Sequence, residues 1–151
     1  MATRPLHDEL LLASAGAMVN DRLERLLQPT FHRLVEMVAL PQGWDSYGAD
    51  PPSPAAIATA RGVVLRVAEQ LGTVAGDRVK PFAVAPFDSG VQLEWREAHA
   101  EVEIDVDADG KMSYLYVAKD SAERRFEEGD LDGWRAAIDL IAQVLVPRSS
   151  R

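Results

Sequence analysis

With 151 residues, 47% of them apolar and 26% charged, the chain has the size and composition of one folded domain with a buried core, not of a disordered or fibrous protein. Twenty-four acidic against 16 basic residues leave a net charge of −8, and such a surface repels phosphate backbones, which sets nucleic acid aside as a partner. Cysteine is absent, so disulfides, thiolate nucleophiles and cysteine-ligated zinc are excluded.

Residues 1–6 read as a flexible tail, 7–147 as a single α+β domain and 148–151 as a second tail. The first part of the domain, 7–40, is predicted to be helical. Leu23, Leu26, Leu27, Leu34, Val35 and Val38 recur at three- and four-residue steps, with Phe31 between them, which is the stripe of an amphipathic helix. Pro29 removes a backbone donor and is expected to kink or split that helix, and Asn20-Asp21 is a second candidate break. The apolar stretch Leu10 to Val19 follows two acids, Asp8 and Glu9, where a signal peptide needs positive charge. It also falls short of the roughly 20 apolar residues of a membrane span, so a cytoplasmic protein without membrane attachment is expected.

Gly43 to Pro54 is dense in proline and glycine and reads as a loop. A helix over 53–72 follows, capped by Ser53 with Pro54 in its first turn. Ile57, Ala60, Val64, Val67 and Leu71 give its apolar stripe, and Gly72 is expected to end it in a left-handed turn. The period then changes to two. Four strands are predicted over 82–118: Phe82 to Pro86, one centred on Val91-Leu93-Trp95, one centred on Val102-Ile104-Val106, and Met112 to Val117. Asp88-Ser89-Gly90 and Asp109-Gly110 are the turns, and their brevity favours an antiparallel meander. Lys119 to Gly129 reads as a polar connection. Asp130 or Asp132 is expected to cap a last helix, 130–146, with Trp134, Ala137, Ile138, Ile141, Ala142 and Leu145 on its apolar face and Pro147 ending it. The fold class is therefore α+β: N-terminal helices, a four-stranded antiparallel meander, and a C-terminal helix packed on the sheet.

Three groups of residues carry candidate chemistry. Asp105, Asp107, Asp109 and Gly110 spell D-x-D-x-D-G, the front half of a calcium loop in which alternating carboxylates converge on a hard cation. The twelfth position is Tyr116 where that motif needs a bidentate glutamate, and an acidic hairpin tip explains the same letters. Glu94, Glu101, Glu103 and Asp105 share one sheet face if the strands pair in register, and such a row holds Mg²⁺ or Mn²⁺ in some hydrolases. A solvated sheet face reads identically. Trp44, Asp45 and Tyr47 lie in a glycine-bounded loop suited to a ligand or partner, and equally to anchoring itself through its own amides. His7, His32 and His99 show no metal spacing, and serine elbows, phosphate loops and dinucleotide glycines are absent.

GWDSYGADPPSPAAI at 43–57, DSGVQLEWR at 88–96 and EVEIDVDADG at 101–110 occur in that order. Together they resemble a type of short uncharacterised bacterial protein with a GWD…GA…P loop, a helix, and a QLEW strand followed by an acidic strand ending in Asp-Gly. The resemblance covers about the middle half of the chain and leaves the N-terminal helical region outside. It implies a bacterial cytosolic origin and the helix-then-meander layout, and it transfers no catalytic residue.

The expectation that follows is a non-enzymatic, acidic interaction or accessory module of antitoxin- or immunity-like character, needing no cofactor. Its partner is another protein or a second copy of itself. Complementary charge speeds and selects association with a basic surface. Met112 to Val117 is apolar on both faces, so either Tyr114 and Tyr116 or Leu115 and Val117 are free to meet the partner. The alternative is a divalent-metal hydrolase or metal-binding module built on the sheet carboxylates.

Overall fold

A computed structural model of the chain describes residues 6–45, 48–84, 89–119 and 122–146. The expected tails lie outside these residues except for Leu6, which begins helix α1, Leu6–Val38. The helix runs through Asn20-Asp21 and Pro29 without a break. Around Pro29, Leu27, Thr30, Leu34 and Met37 are all buried at three- and four-residue steps, so packing outweighs the one lost backbone bond. Val35 and Val38, expected on the same stripe, are instead 63% and 51% exposed. Val35 lies about 100° round the helix from Leu34, which takes it off the packed face.

Helix α2, Pro54–Ala75, starts where the sequence predicts: the Ser53 hydroxyl accepts the Ala56 N–H at 3.0 Å, with Pro54 in the first turn. It passes Gly72 and ends at Gly76, whose φ of +57° makes the left-handed stop. Gly72 serves close approach instead. A β-carbon there would sit 3.3 Å from the methyls of Leu23, so its absence lets α1 lie against α2. A short 3₁₀ turn, Gly76–Val79, leads into the sheet.

Five strands follow: β1 Phe82–Val84, β2 Val91–Arg96, β3 Ala100–Val106, β4 Met112–Ala118 and β5 Arg125–Leu131. They pair antiparallel in chain order, and the four strands predicted by alternation make up β1 to β4. The fifth strand comes from the segment that reads as a polar connection. Apart from Phe126 near its start and Gly129 and Leu131 toward its end, its residues are charged, so it carries no period-two signal and is held by its backbone pairing to β4. Helix α3, Trp134–Leu145, consequently begins later than expected, because Asp130 is inside β5. Gly133, at φ +91°, occupies the cap position, and no side chain caps the helix.

One sheet face forms the core. Leu93, Trp95, Val102 and Ile104 are buried there with Val64 and Val67 of α2 and Ile141 and Leu145 of α3. Trp95 donates its indole N–H to the Val79 carbonyl at 2.9 Å, tying β2 to the 3₁₀ turn that follows α2. The Arg66 guanidinium lies 4.1 Å from the Trp134 ring centroid and joins α2 to α3. No helix among the described residues is long and apolar enough to cross a membrane.

Ser53 does two things. Besides capping α2, its hydroxyl donates to the Ala108 carbonyl at 2.6 Å and fastens the β3–β4 hairpin to the helix. Ser53→Ala should lower the urea midpoint with an unchanged m-value, at a cost of about 1–2 kcal/mol. Ser53→Asp, which keeps the cap but has no donor for Ala108, should fall between the two.

Candidate functional site

The face turned away from the helices is built by register. Gln92, Asp105, Ser113 and Asp130 form one cross-strand row; Glu94, Glu103, Leu115 and Glu128 form the next; Arg96, Glu101, Val117 and Phe126 form the third. The pleat thus brings Glu94, Glu101, Glu103 and Asp105 onto one surface. Phe126, Glu128 and Asp130 join them from β5, residues that carry no alternating apolar signal by which sequence reasoning would place them there. Phe126 is 67% exposed, while Val117 is buried apart from the main core.

This surface has two electrostatic ends. At one, Arg96 bonds Glu94 at 2.6 Å and Lys119 bonds Glu101 at 2.7 Å. The hydrogen bond from Lys119 holds the Glu101 carboxyl below its usual range, aided by the charges of Lys119, Arg96 and Arg124 and opposed by desolvation. At the other end burial dominates. It pushes Glu103 up, and the charges of Asp105 and Glu94 push it further. Burial also raises Asp105, with Glu94 adding to it. The Asp105 Oδ1 is shut from solvent and has no hydrogen-bond partner among the described residues.

Asp105 also lines a cleft of about 670 Å³ at the end of the sheet, between the β3–β4 hairpin and the β5–α3 junction. Val91, Met112 and Leu131 supply apolar wall, and Asp107, Asp130 and Asp132 outnumber Lys111 as charged lining. The cleft therefore favours a cation or a basic side chain.

The calcium-like letters resolve into a hairpin. Asp107 Oδ1 accepts the N–H groups of Asp109 and Lys111, both at 2.9 Å, which commits that oxygen to the turn. Asp109 is exposed at the tip. Among the described residues, no three His, Asp or Glu side chains are grouped so as to hold a metal ion. In the aromatic loop, Asp45 Oδ1 accepts the Ala49 N–H at 3.0 Å and Trp44 donates its indole N–H to the Asp50 carbonyl at 3.3 Å. Both contacts close the loop on itself. Tyr47 lies outside the described residues. Tyr114 and Tyr116 turn toward the helix side and pack, half-buried, against the core. The Tyr114 hydroxyl donates to Glu127 at 2.8 Å, which raises its pKa.

No protein-family model, curated protein or solved structure matches this chain.

The shifts set opposite pH responses. Glu103 and Asp105 hold their protons more tightly folded than unfolded, so each removes stability as pH rises from its unfolded to its folded pKa. Asp105→Asn and Glu103→Gln should therefore raise the thermal midpoint at pH 7, with the gain vanishing as pH falls below the ordinary carboxylate range. Glu101 works the other way: its contribution is present above its unfolded pKa and is lost as pH falls through the folded one. Glu101→Gln should lower the midpoint at neutral pH and leave it unchanged at low pH.

Proposed function

We propose that this chain is a non-enzymatic interaction module that presents its open sheet face and end cleft to a basic protein surface. The observation that carries the reading is the Asp105 carboxylate, placed at the cleft with a buried oxygen that no hydrogen bond among the described residues satisfies. A buried acceptor left unpaired is costly, and a guanidinium or ammonium from a partner supplies the missing donor. Glu103 adds a second carboxylate whose burial opposes its charge, and Glu128 and Asp130 extend the negative field outward. The net charge of −8 steers the encounter. An antitoxin- or immunity-like accessory role in a bacterial cytoplasm fits this acidic character, the absence of cysteine and the motif resemblance.

The test is capture of a basic partner from native lysate by the full chain, compared with Glu128→Lys/Asp130→Lys and with Asp105→Asn. Wild type should retain a stoichiometric basic protein, less of it as salt rises. The double reversal should weaken binding at least tenfold, about 1.4 kcal/mol. Capture that ignores both salt and the reversal, or no stoichiometric partner at all, overturns the reading.

The alternative, a divalent cation on the sheet carboxylates, has only the unpaired Asp105 oxygen in its favour, since among the described residues no three His, Asp or Glu side chains are grouped to hold a metal ion. Calorimetry with Mg²⁺, Mn²⁺ and Ca²⁺ separates the two. Heat and a raised thermal midpoint in wild type, absent in Asp105→Asn, favour the cation, and silence with all three removes it.

A further inference from the structure

The two edges of the sheet differ. At one edge β1, three residues long, has α1 packed beside it. At the other, β5 has seven residues, pairs among the described strands with β4 alone, and exposes Arg125, Phe126, Glu127 and Glu128. Its backbone groups on the outer side are a template for another strand, with no proline to block them.

The charges around Phe126 say which strand fits. Arg124 and Arg125 precede it, and Glu127 and Glu128 follow it. An antiparallel copy of the segment, related by a two-fold axis through Phe126, sets Arg125 opposite Glu127 and Arg124 opposite Glu128, each pair made twice. Phe126 then meets its own twin. Faces agree as well, because opposed residues in an antiparallel pair share a side of the sheet. Phe126 and Glu128 are on the open face and Arg125 and Glu127 on the helix side, as the β4 register fixes, and Arg124 precedes the paired strand with its charge reaching Glu101 of the open face. Other registers lose this. Centring on Glu127 or on Glu128 opposes that glutamate to itself, and centring on Glu128 also sets Phe126 against Asp130. Like charges directly opposite one another are destabilising.

We infer that β5 pairs with β5 of a second copy of this chain, centred on Phe126, to form one continuous ten-stranded sheet. The inference rests on the reading of the chain as an interaction module and names one of its partners. The two acidic faces become a single surface, and the exposed Phe126 rings are covered by each other.

The absence of cysteine allows a register-specific test. Directly opposed residues lie close enough for a disulfide, so Phe126→Cys should cross-link to itself under mild oxidation. Glu128→Cys should not, since its twin would be four residues along the partner strand, about 13 Å away. Light scattering on the full chain should give a dimer. Arg124→Glu/Arg125→Glu should give a monomer, and adding Glu127→Arg/Glu128→Arg should restore the dimer by inverting the same complementarity. A wild-type monomer at millimolar concentration, or cross-linking at Glu128→Cys without cross-linking at Phe126→Cys, overturns the inference. So does a dimer indifferent to the arginine reversals. A monomer that still captures a basic partner sinks the dimer alone, and a dimer that captures none sinks only the reading of the acidic face.

Discussion

Everything distinctive about this molecule depends on a sheet that is covered on one side. α2 and α3 lie over β2 and β3, and Trp95 sits at the centre of that contact, fully buried with its indole N–H committed to the Val79 carbonyl. A buried donor of this kind has to be satisfied, and the bond fixes where the chain re-enters the sheet after α2. With Leu93, Val102 and Ile104 beside Trp95, the core is filled from one face. The pleat then sends every intervening residue of β2 to β5 to the other face, whatever its chemistry.

What the pleat places there is an unusual concentration of carboxylates, and the two ends deal with it differently. Arg96, Lys119 and Arg124 neutralise Glu101, so that end favours the fold. Glu103 and Asp105 lie beyond the reach of enough positive charge, and burial pushes both up. Groups that oppose folding are often found where a protein holds charge ready for something else. The cleft at that end, about 670 Å³, has the volume for a side chain and the sign for a basic one. The hairpin acids that resemble a calcium loop contribute mainly to the turn, because Asp107 spends an oxygen on the amides of Asp109 and Lys111.

β5 links the acidic face to association. It adds Phe126, Glu128 and Asp130 to that face and leaves its own outer edge open. Self-pairing there uses the backbone edge with its paired charges, recognition of a basic surface uses the carboxylates and the cleft, and Glu128 belongs to both.

Much of this was legible in the residues. The strict alternation in Val91 to Arg96 and in Glu101 to Val106 defines two half-buried strands and places Glu94, Glu103 and Asp105 together on the polar side. Ser53-Pro54 marks a helix start by chemistry that acts within a few residues. Such local signals need no knowledge of distant neighbours. The tertiary structure alone decided three things. Gly72 looks like a helix stop until Leu23, from a helix far away in sequence, is seen to occupy the space its missing side chain leaves. Pro29 looks like a break until the residues flanking it are found packed. β5 looks like a connection because an edge strand can be held by backbone bonds that no side-chain pattern records. The sequence determined which residues alternate and where they cap and turn. Only long-range packing determined which interruptions the elements would tolerate, and which acidic side chains would end up sharing a face and a cleft.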